Sequence, residues 1–157
     1  ILNHYPTKSI RDISRPWKRK EWKAAGKVVS LDHIEHKILR KQLKEPRIHF
    51  AVVCASIGCP KLQNFAFVPG KLETQLDKAA KHFFASPKYF WVEDDEDRAV
   101  VHISKIFKWF GEDFGDNKKE KVAFMLKYTQ EKNTAILKKY SSYKFKYLGY
   151  DWNLNGK

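Results

Sequence analysis

His49, Cys54 and Cys59 fall within one short stretch of this chain, and they are residue types that carry nucleophilic chemistry near neutral pH. A thiol attacks as its thiolate, an imidazole can take the proton, and a carboxylate can hold that imidazole in one tautomer. Cys59 has the stronger case as nucleophile. Pro60 follows it, and proline favours the first position of a helix, so Cys59 is expected at or near an N-cap. Unpaired amides and the helix dipole there lower a thiol pKa, and the same amides would serve as an oxyanion hole. An incidental cap residue and half of a small disulfide with Cys54 are the competing readings. Cys54 ends an apolar run and reads as a small core residue.

His49 sits in a run that otherwise reads Ile, Phe, Ala, Val, Val, so it must find hydrogen-bond partners or stand at a cavity. It is either a satisfied core histidine or a base. Helical spacing from Leu31 to Leu43 puts Leu31, Ile34, Ile38 and Leu39 on one arc, and Glu35 falls inside it. A carboxylate aimed inward needs a positive or donor partner, or it must keep its proton. Arg47, Arg40 and His49 are the candidates, giving either a structural ion pair or a carboxylate that orients the histidine. Ser56, Cys54, His36, Arg40 and Arg47 complete the candidate site as binding residues.

His102 is a weaker candidate base, in a segment with nothing else unusual around it. His33 and His36 are three apart, whereas one-helix zinc ligands usually stand four apart, so no metal is expected. No glycine-rich phosphate loop is present, and no nucleotide, flavin or nicotinamide cofactor is expected.

Positioning these groups requires a fold, and the pattern is that of an α+β domain. Helices are expected over 31–43, 71–85, from Ser104 to 110 or 114, and over 119–130, with short helical pieces at 9–13 and 17–23. Val28 and Val29 suit a brief strand. Ile48 to Cys54 is apolar and β-branched, the composition of a strand covered on both faces, and is expected to be central in its sheet. Tyr89 to Val92 and Ala99 to Ile103 flank the acidic turn Asp94 to Asp97 as a hairpin, and Tyr143 to Leu154 alternates as a last strand.

Aromatic residues make up 15% of the 157 residues, enough large apolar surface for one core without metals or disulfides. The longest strongly apolar run, Phe50 to Gly58, is too short to span a membrane. The formal charge of +13 attracts polyanions, but it is spread along the chain and no nucleic-acid-binding motif accompanies it. Nucleic acid is therefore not the expected partner.

The residues Tyr5-Pro6, Lys8-Ser9-Ile10-Arg11, Leu31-Asp32, Ile34-Glu35-His36, Leu39-Arg40, Pro46-Arg47-Ile48-His49-Phe50-Ala51, Cys54-Ala55-Ser56, Gly58-Cys59-Pro60, Leu62, Ser104-Lys105, Phe107, Trp109, Asp113-Phe114, Tyr150-Asp151-Trp152 and Leu154-Asn155 together resemble the bacterial branch of the domain-of-unknown-function family numbered 547 (DUF547). The likeness runs over nearly the whole chain. Members of the family usually begin with an aromatic, asparagine- and tyrosine-rich segment that is not seen before Tyr5, so a piece of the site is expected outside this chain. Plant relatives have aspartate at the position of Cys59 and keep the histidine and proline of His49 and Pro60. A chemistry shared by the family would therefore centre on Glu35 and His49. Many bacterial members look exported, which implies a periplasmic or extracellular location.

The expectation for the fold is a small mixed or antiparallel sheet with helices around it, in a single domain that resembles a papain-like or transglutaminase-like arrangement. Two functions fit. The first is a thiol hydrolase or acyltransferase acting on amide or thioester bonds of a small-molecule, peptide or glycan substrate, with Cys59 as nucleophile, His49 as base and Glu35 as orienter. The alternative is a non-catalytic module that binds an anionic glycan, lipid surface or protein partner through charge that salt would screen.

Overall fold

Serine caps set the first elements. In the computed structural model, which describes residues 1–19, 21–24 and 26–156, Ser9 accepts the Arg11 amide and forms a capping box with Asp12, starting the 3-10 turn Ile10–Asp12. A helix was expected over 17–23, where Lys20 lies outside the described residues; Trp22 and Lys23 instead belong to a strand. Strand β1 (Trp22–Ala24) pairs antiparallel with β2 (Lys27–Val29) across Gly26, whose φ of +76° suits glycine. Ser30 accepts the His33 amide and opens helix α1, which is α-helical over Leu31–His33 and π-helical over Ile34–Gln42. The π winding closes longer rings, as in the Leu43 amide to Ile38 carbonyl bond, and so changes which side chains share a face.

The segment after α1 corrects the expected central strand. Pro46–Phe50 is a 3-10 turn: Pro46 suits the first helical position, and the Glu45 carboxylate accepts the Arg47 amide. Ile48, His49 and Phe50 are buried by side-chain packing and not by strand pairing. Phe50 lies among Phe83, Phe84, Phe107, Phe114 and Phe124. The Arg47 guanidinium joins Glu45, Glu73 and Asp77 at 2.6–2.7 Å, fastening this turn to helix α2 (Leu72–Ala85). A short apolar run does not distinguish a buried strand from a buried turn.

Helix α2 turns Leu76, Ala79, Ala80, Phe83 and Phe84 inward at the spacing its sequence implies. The acidic turn joins β3 (Phe90–Asp95) to β4 (Arg98–Ile103) as the expected antiparallel hairpin. The central strand is β4, with Ala99, Val100, Val101 and Ile103 buried. Its other edge takes β5 (Tyr143–Tyr147) in parallel, so the three-stranded sheet is mixed. The crossover between them holds α3 (Ile106–Trp109), α4 (Lys118–Leu126) and α5 (Glu131–Lys139). Helix α5 was not foreseen, because only Leu137 of its residues is buried and the apolar spacing is faint. The fold is α+β, with one aromatic-rich core joining α2, the sheet and the crossover helices. No helix among the described residues is long and apolar enough to cross a membrane.

Candidate functional site

The two ends of the chain close over one cavity. Ser9 bridges to Asn153, the Ser9 hydroxyl donates to the Trp152 carbonyl at 2.7 Å, and the Leu154 amide donates to the Lys8 carbonyl. The same tail lies along the cysteine turn: the amides of Ile57 and Gly58 donate to the carbonyls of Asn153 and Asp151, each at 2.8 Å. Tyr150 then packs directly over Gly58, where an added Cβ would approach its ring to 2.9 Å. Trp109 and Trp152 hold the tyrosine from its other sides, with ring centroids at 4.8 Å. The resulting cavity, about 820 Å³, is lined by Glu35, His36, His49, Cys54, Cys59 and Tyr150 together with apolar side chains from α1, α3 and the segment 52–53. That volume is in the range of small-molecule sites.

Both cysteines are free thiols, but they differ in environment. No helix begins at Cys59, so the expected N-cap is absent and Pro60 opens a segment without regular secondary structure. Cys59 is 6% exposed, and its sulfur accepts the Cys54 amide at 3.0 Å. The thiol pKa of Cys59 is pushed up, first by its hydrogen bond to Cys54 and then by burial. Cys54 is half-buried, with its sulfur 3.1 Å from the Ser56 hydroxyl and 3.2 Å from the Tyr150 hydroxyl. The bond from Cys59, followed by those from Ser56 and Tyr150, outweighs burial and lowers the Cys54 pKa to about 5. Burial holds the Tyr150 phenol well above its ordinary pKa, so it is a donor here. Ala55, between the two partners, takes a left-handed φ of 57°, a strained conformation for a residue with a Cβ.

The amides expected to make an oxyanion hole are committed elsewhere. Cys54 donates to the Cys59 sulfur, Ile57 and Gly58 to the tail, and Cys59 to the Ser56 carbonyl. The Cys54 sulfur is instead faced by the Cys59 thiol, the hydroxyls of Ser56 and Tyr150 and the Ser56 amide.

His49 meets a different carboxylate from the one expected. Its Nε2 is 2.7 Å from Asp113, and Asp113 also receives Arg40, which pairs with both carboxylate oxygens. Burial acts against the Asp113 charge, but the bonds from Arg40 and His49 hold its pKa below 3.8, so it is an acceptor and His49 carries its proton on Nε2. Nδ1 is then the acceptor nitrogen of a ring that lines the cavity, stacked on Phe110 at 4.4 Å. No hydrogen bond joins His49 to Glu35 or to either thiol among the described residues.

Burial holds the His49 pKa below 6.5, although the bond to Asp113 works the other way. A depressed folded-state pKa means that neutral His49 supports the fold fully above about pH 6.5 and that this support is lost as pH falls through the lower folded value. Urea unfolding at pH 7, 6 and 5 should show declining stability, with a shallower decline in His49→Gln. Equal slopes in the two proteins would contradict this placement. Asp113 titrates below 3.8 and contributes in a separate, more acidic window.

Glu35 lies on the cavity wall and is not fully buried; desolvation raises its pKa, with His36 and Arg40 opposing. His36 lies 3.1 Å from Arg40 through Nδ1 and 3.8 Å from Asp32 through Nε2. Arg40 is therefore occupied by Asp113, Glu112 and His36, and Arg47 by the carboxylates under α2; neither pairs with Glu35. Ser56 is fully buried beside Cys54. His102 stacks on Trp91 at 3.4 Å and bonds Glu93, outside the cavity lining. No group of three His, Cys, Asp or Glu side chains among the described residues is arranged to hold a metal ion.

The sequence gives Asp113 and Tyr150 no part in the candidate chemistry, although both stand among the residues that carry the family resemblance. Both come from distant parts of the chain, and local spacing assigns them no chemistry: Asp113 ends a plain Gly-Glu-Asp, and Tyr150 is one of several aromatics in a polar tail.

No curated protein and no solved structure matches this chain. The family described as "Protein of unknown function, DUF547" matches residues 1–84. The match covers α1 and the turn from His49 to Cys59, and stops short of Asp113 and Tyr150. Residues 1–84 are more than half of the chain, and the chain therefore belongs to the DUF547 family.

Proposed function

We propose that this chain is a thiol-dependent acyl-transfer enzyme acting on amide or thioester bonds, with Cys54 as its nucleophile. The observation that carries this reading is the Cys54 sulfur, set in the wall of the cavity with the hydroxyls of Ser56 and Tyr150 at 3.1 and 3.2 Å. A thiol lowered to about 5 is already ionised at neutral pH and needs no base to remove its proton. This moves the attacking role from Cys59, which is more buried and holds its proton.

The remaining steps use groups on the same cavity. The thiolate bonds to the carbonyl carbon, and the negative charge that forms on the carbonyl oxygen is met by the Tyr150 hydroxyl. Glu35, whose raised pKa favours the acid form, gives its proton to the departing nitrogen or sulfur as that bond breaks. A water that loses its proton to His49 Nδ1 then attacks the thioester, cleavage of the carbon–sulfur bond restores the thiolate, and exchange with solvent returns a proton to Glu35 and removes the one on His49. Asp113 fixes the imidazole for this step. We also place the chain in the bacterial branch of its family, and in the periplasm or outside the cell, on the resemblance set out above.

The test is covalent trapping. Incubation with 4-nitrophenyl acetate should add one acetyl group, removable by hydroxylamine, and peptide mapping should put it on Cys54. Cys54→Ser should abolish the adduct. Acetylation mapping to Cys59, or an adduct that persists in Cys54→Ser, would overturn the assignment.

A further inference from the structure

The cavity is apolar inside and cationic at one edge. Its walls include Ile13, Leu31, Ile34, Leu39 and Ile106, and the segment from Arg11 to Lys18 forms one side. Arg11, Arg15 and Lys18 all line it, and among the described residues none of the three side chains is ion-paired or hydrogen-bonded to a protein group. The Arg11 guanidinium sits over the Trp152 ring at 5.3 Å, which holds its charge at the rim. Unpaired cations are common on this chain; what sets these three apart is that they stand together along one side of an apolar cavity, whereas Arg40 and Arg47 are each held by two or more carboxylates. Of the two carboxylates that also line the cavity, Asp32 stands 3.8 Å from the His36 ring, and burial works against the charge of Glu35.

We propose that this cavity takes a single-chain anionic amphiphile, with its hydrocarbon part along the apolar walls and its anionic group against Arg11, Arg15 and Lys18. A neutral chain would draw nothing from the three exposed cations at the edge, and a small anion alone would leave the apolar walls wet. The inference rests on the reading of this cavity as the functional site and names the class of molecule whose acyl group would reach Cys54. The occupant is one free molecule and not a bilayer.

Alkyl phosphates below their micelle concentrations are suitable probes, read by the fluorescence of the tryptophans in the wall, Trp17, Trp109 and Trp152. Decyl phosphate should bind one per chain. Shortening the chain from decyl to hexyl should weaken binding roughly fourfold per methylene. The triple variant Arg11→Gln, Arg15→Gln, Lys18→Gln should weaken decyl phosphate at least tenfold and leave neutral octyl glucoside unchanged. Chain-length-independent affinity, equal binding of inorganic phosphate, or full decyl phosphate affinity in the triple variant would overturn the proposal. So would binding to phosphatidylglycerol vesicles without binding of the monomer. This readout does not require Cys54 to react, so a missing acetyl adduct with intact binding would remove the enzymatic reading and leave the ligand class standing.

Discussion

Asp113→Ala is expected to cost about 3 kcal/mol of folding stability, the effect of removing one member of a mostly buried charge cluster. The side chains of Arg40, Asp113 and His49 are 9%, 14% and 2% exposed, so water replaces little of what the carboxylate supplies. The expected loss stays at the low end of the range for buried pairs because Arg40 keeps its contact with the exposed Glu112. For a chain of this size the melting temperature should fall by roughly 6–12 °C. Asp113→Asn keeps an acceptor for His49 and should cost less, about 1–2 kcal/mol. Glu35→Gln is the control: burial works against its charge, so losing that charge should leave stability unchanged or raised. Urea titration of the three variants decides the matter. A cost under about 1 kcal/mol for Asp113→Ala, or a larger one for Glu35→Gln, would assign the orienting role to Glu35.

Iodoacetamide should label Cys54 at a rate nearly independent of pH between 6 and 8. An ordinary thiol, with a pKa near 9.0, gains about tenfold in thiolate for each pH unit over that range; one at about 5 is already ionised. The absolute rate at pH 7 discriminates poorly. Full ionisation raises the thiolate fraction about a hundredfold, but the lower basicity reduces intrinsic nucleophilicity by roughly 40- to 100-fold, and the two nearly cancel. At pH 6 the balance shifts, leaving Cys54 faster than a free thiol by roughly 10- to 25-fold. Cys59→Ala removes the largest of the bonds that lower the Cys54 pKa and should restore a visible rise with pH. A tenfold rise per pH unit in the unaltered protein would show an ordinary thiol and remove the nucleophile from the proposed mechanism.

The elements whose boundaries were readable are those with a local cause. Ser30 capped the helix from Leu31 because a hydroxyl satisfies an amide three residues on, whatever the rest of the chain does. The acidic tip at Asp94 to Asp97 turned the hairpin, and α2 was visible in its apolar spacing. The π winding of α1 left no mark in the sequence, and neither did the 3-10 turn that replaced the expected central strand at Ile48 to Cys54. In that run β-branched composition favoured a strand, while Pro46, the Glu45 cap and the fit of Phe50 among five other phenylalanines favoured a turn, and packing prevailed.

The sequence by itself determined the α+β class, the family, and the short stretch from His49 to Cys59 where the candidate chemistry lies, because residue type, spacing and capping are local properties. Tertiary structure decided the partners. It brought Asp113 to His49 across 64 positions and Tyr150 to Cys54 across 96, and it separated two cysteines five apart into a half-buried one with a lowered pKa and a buried one with a raised pKa. Hydrogen bonding and desolvation set a pKa, and both depend on which distant groups the fold delivers to within about 3 Å of the titrating atom.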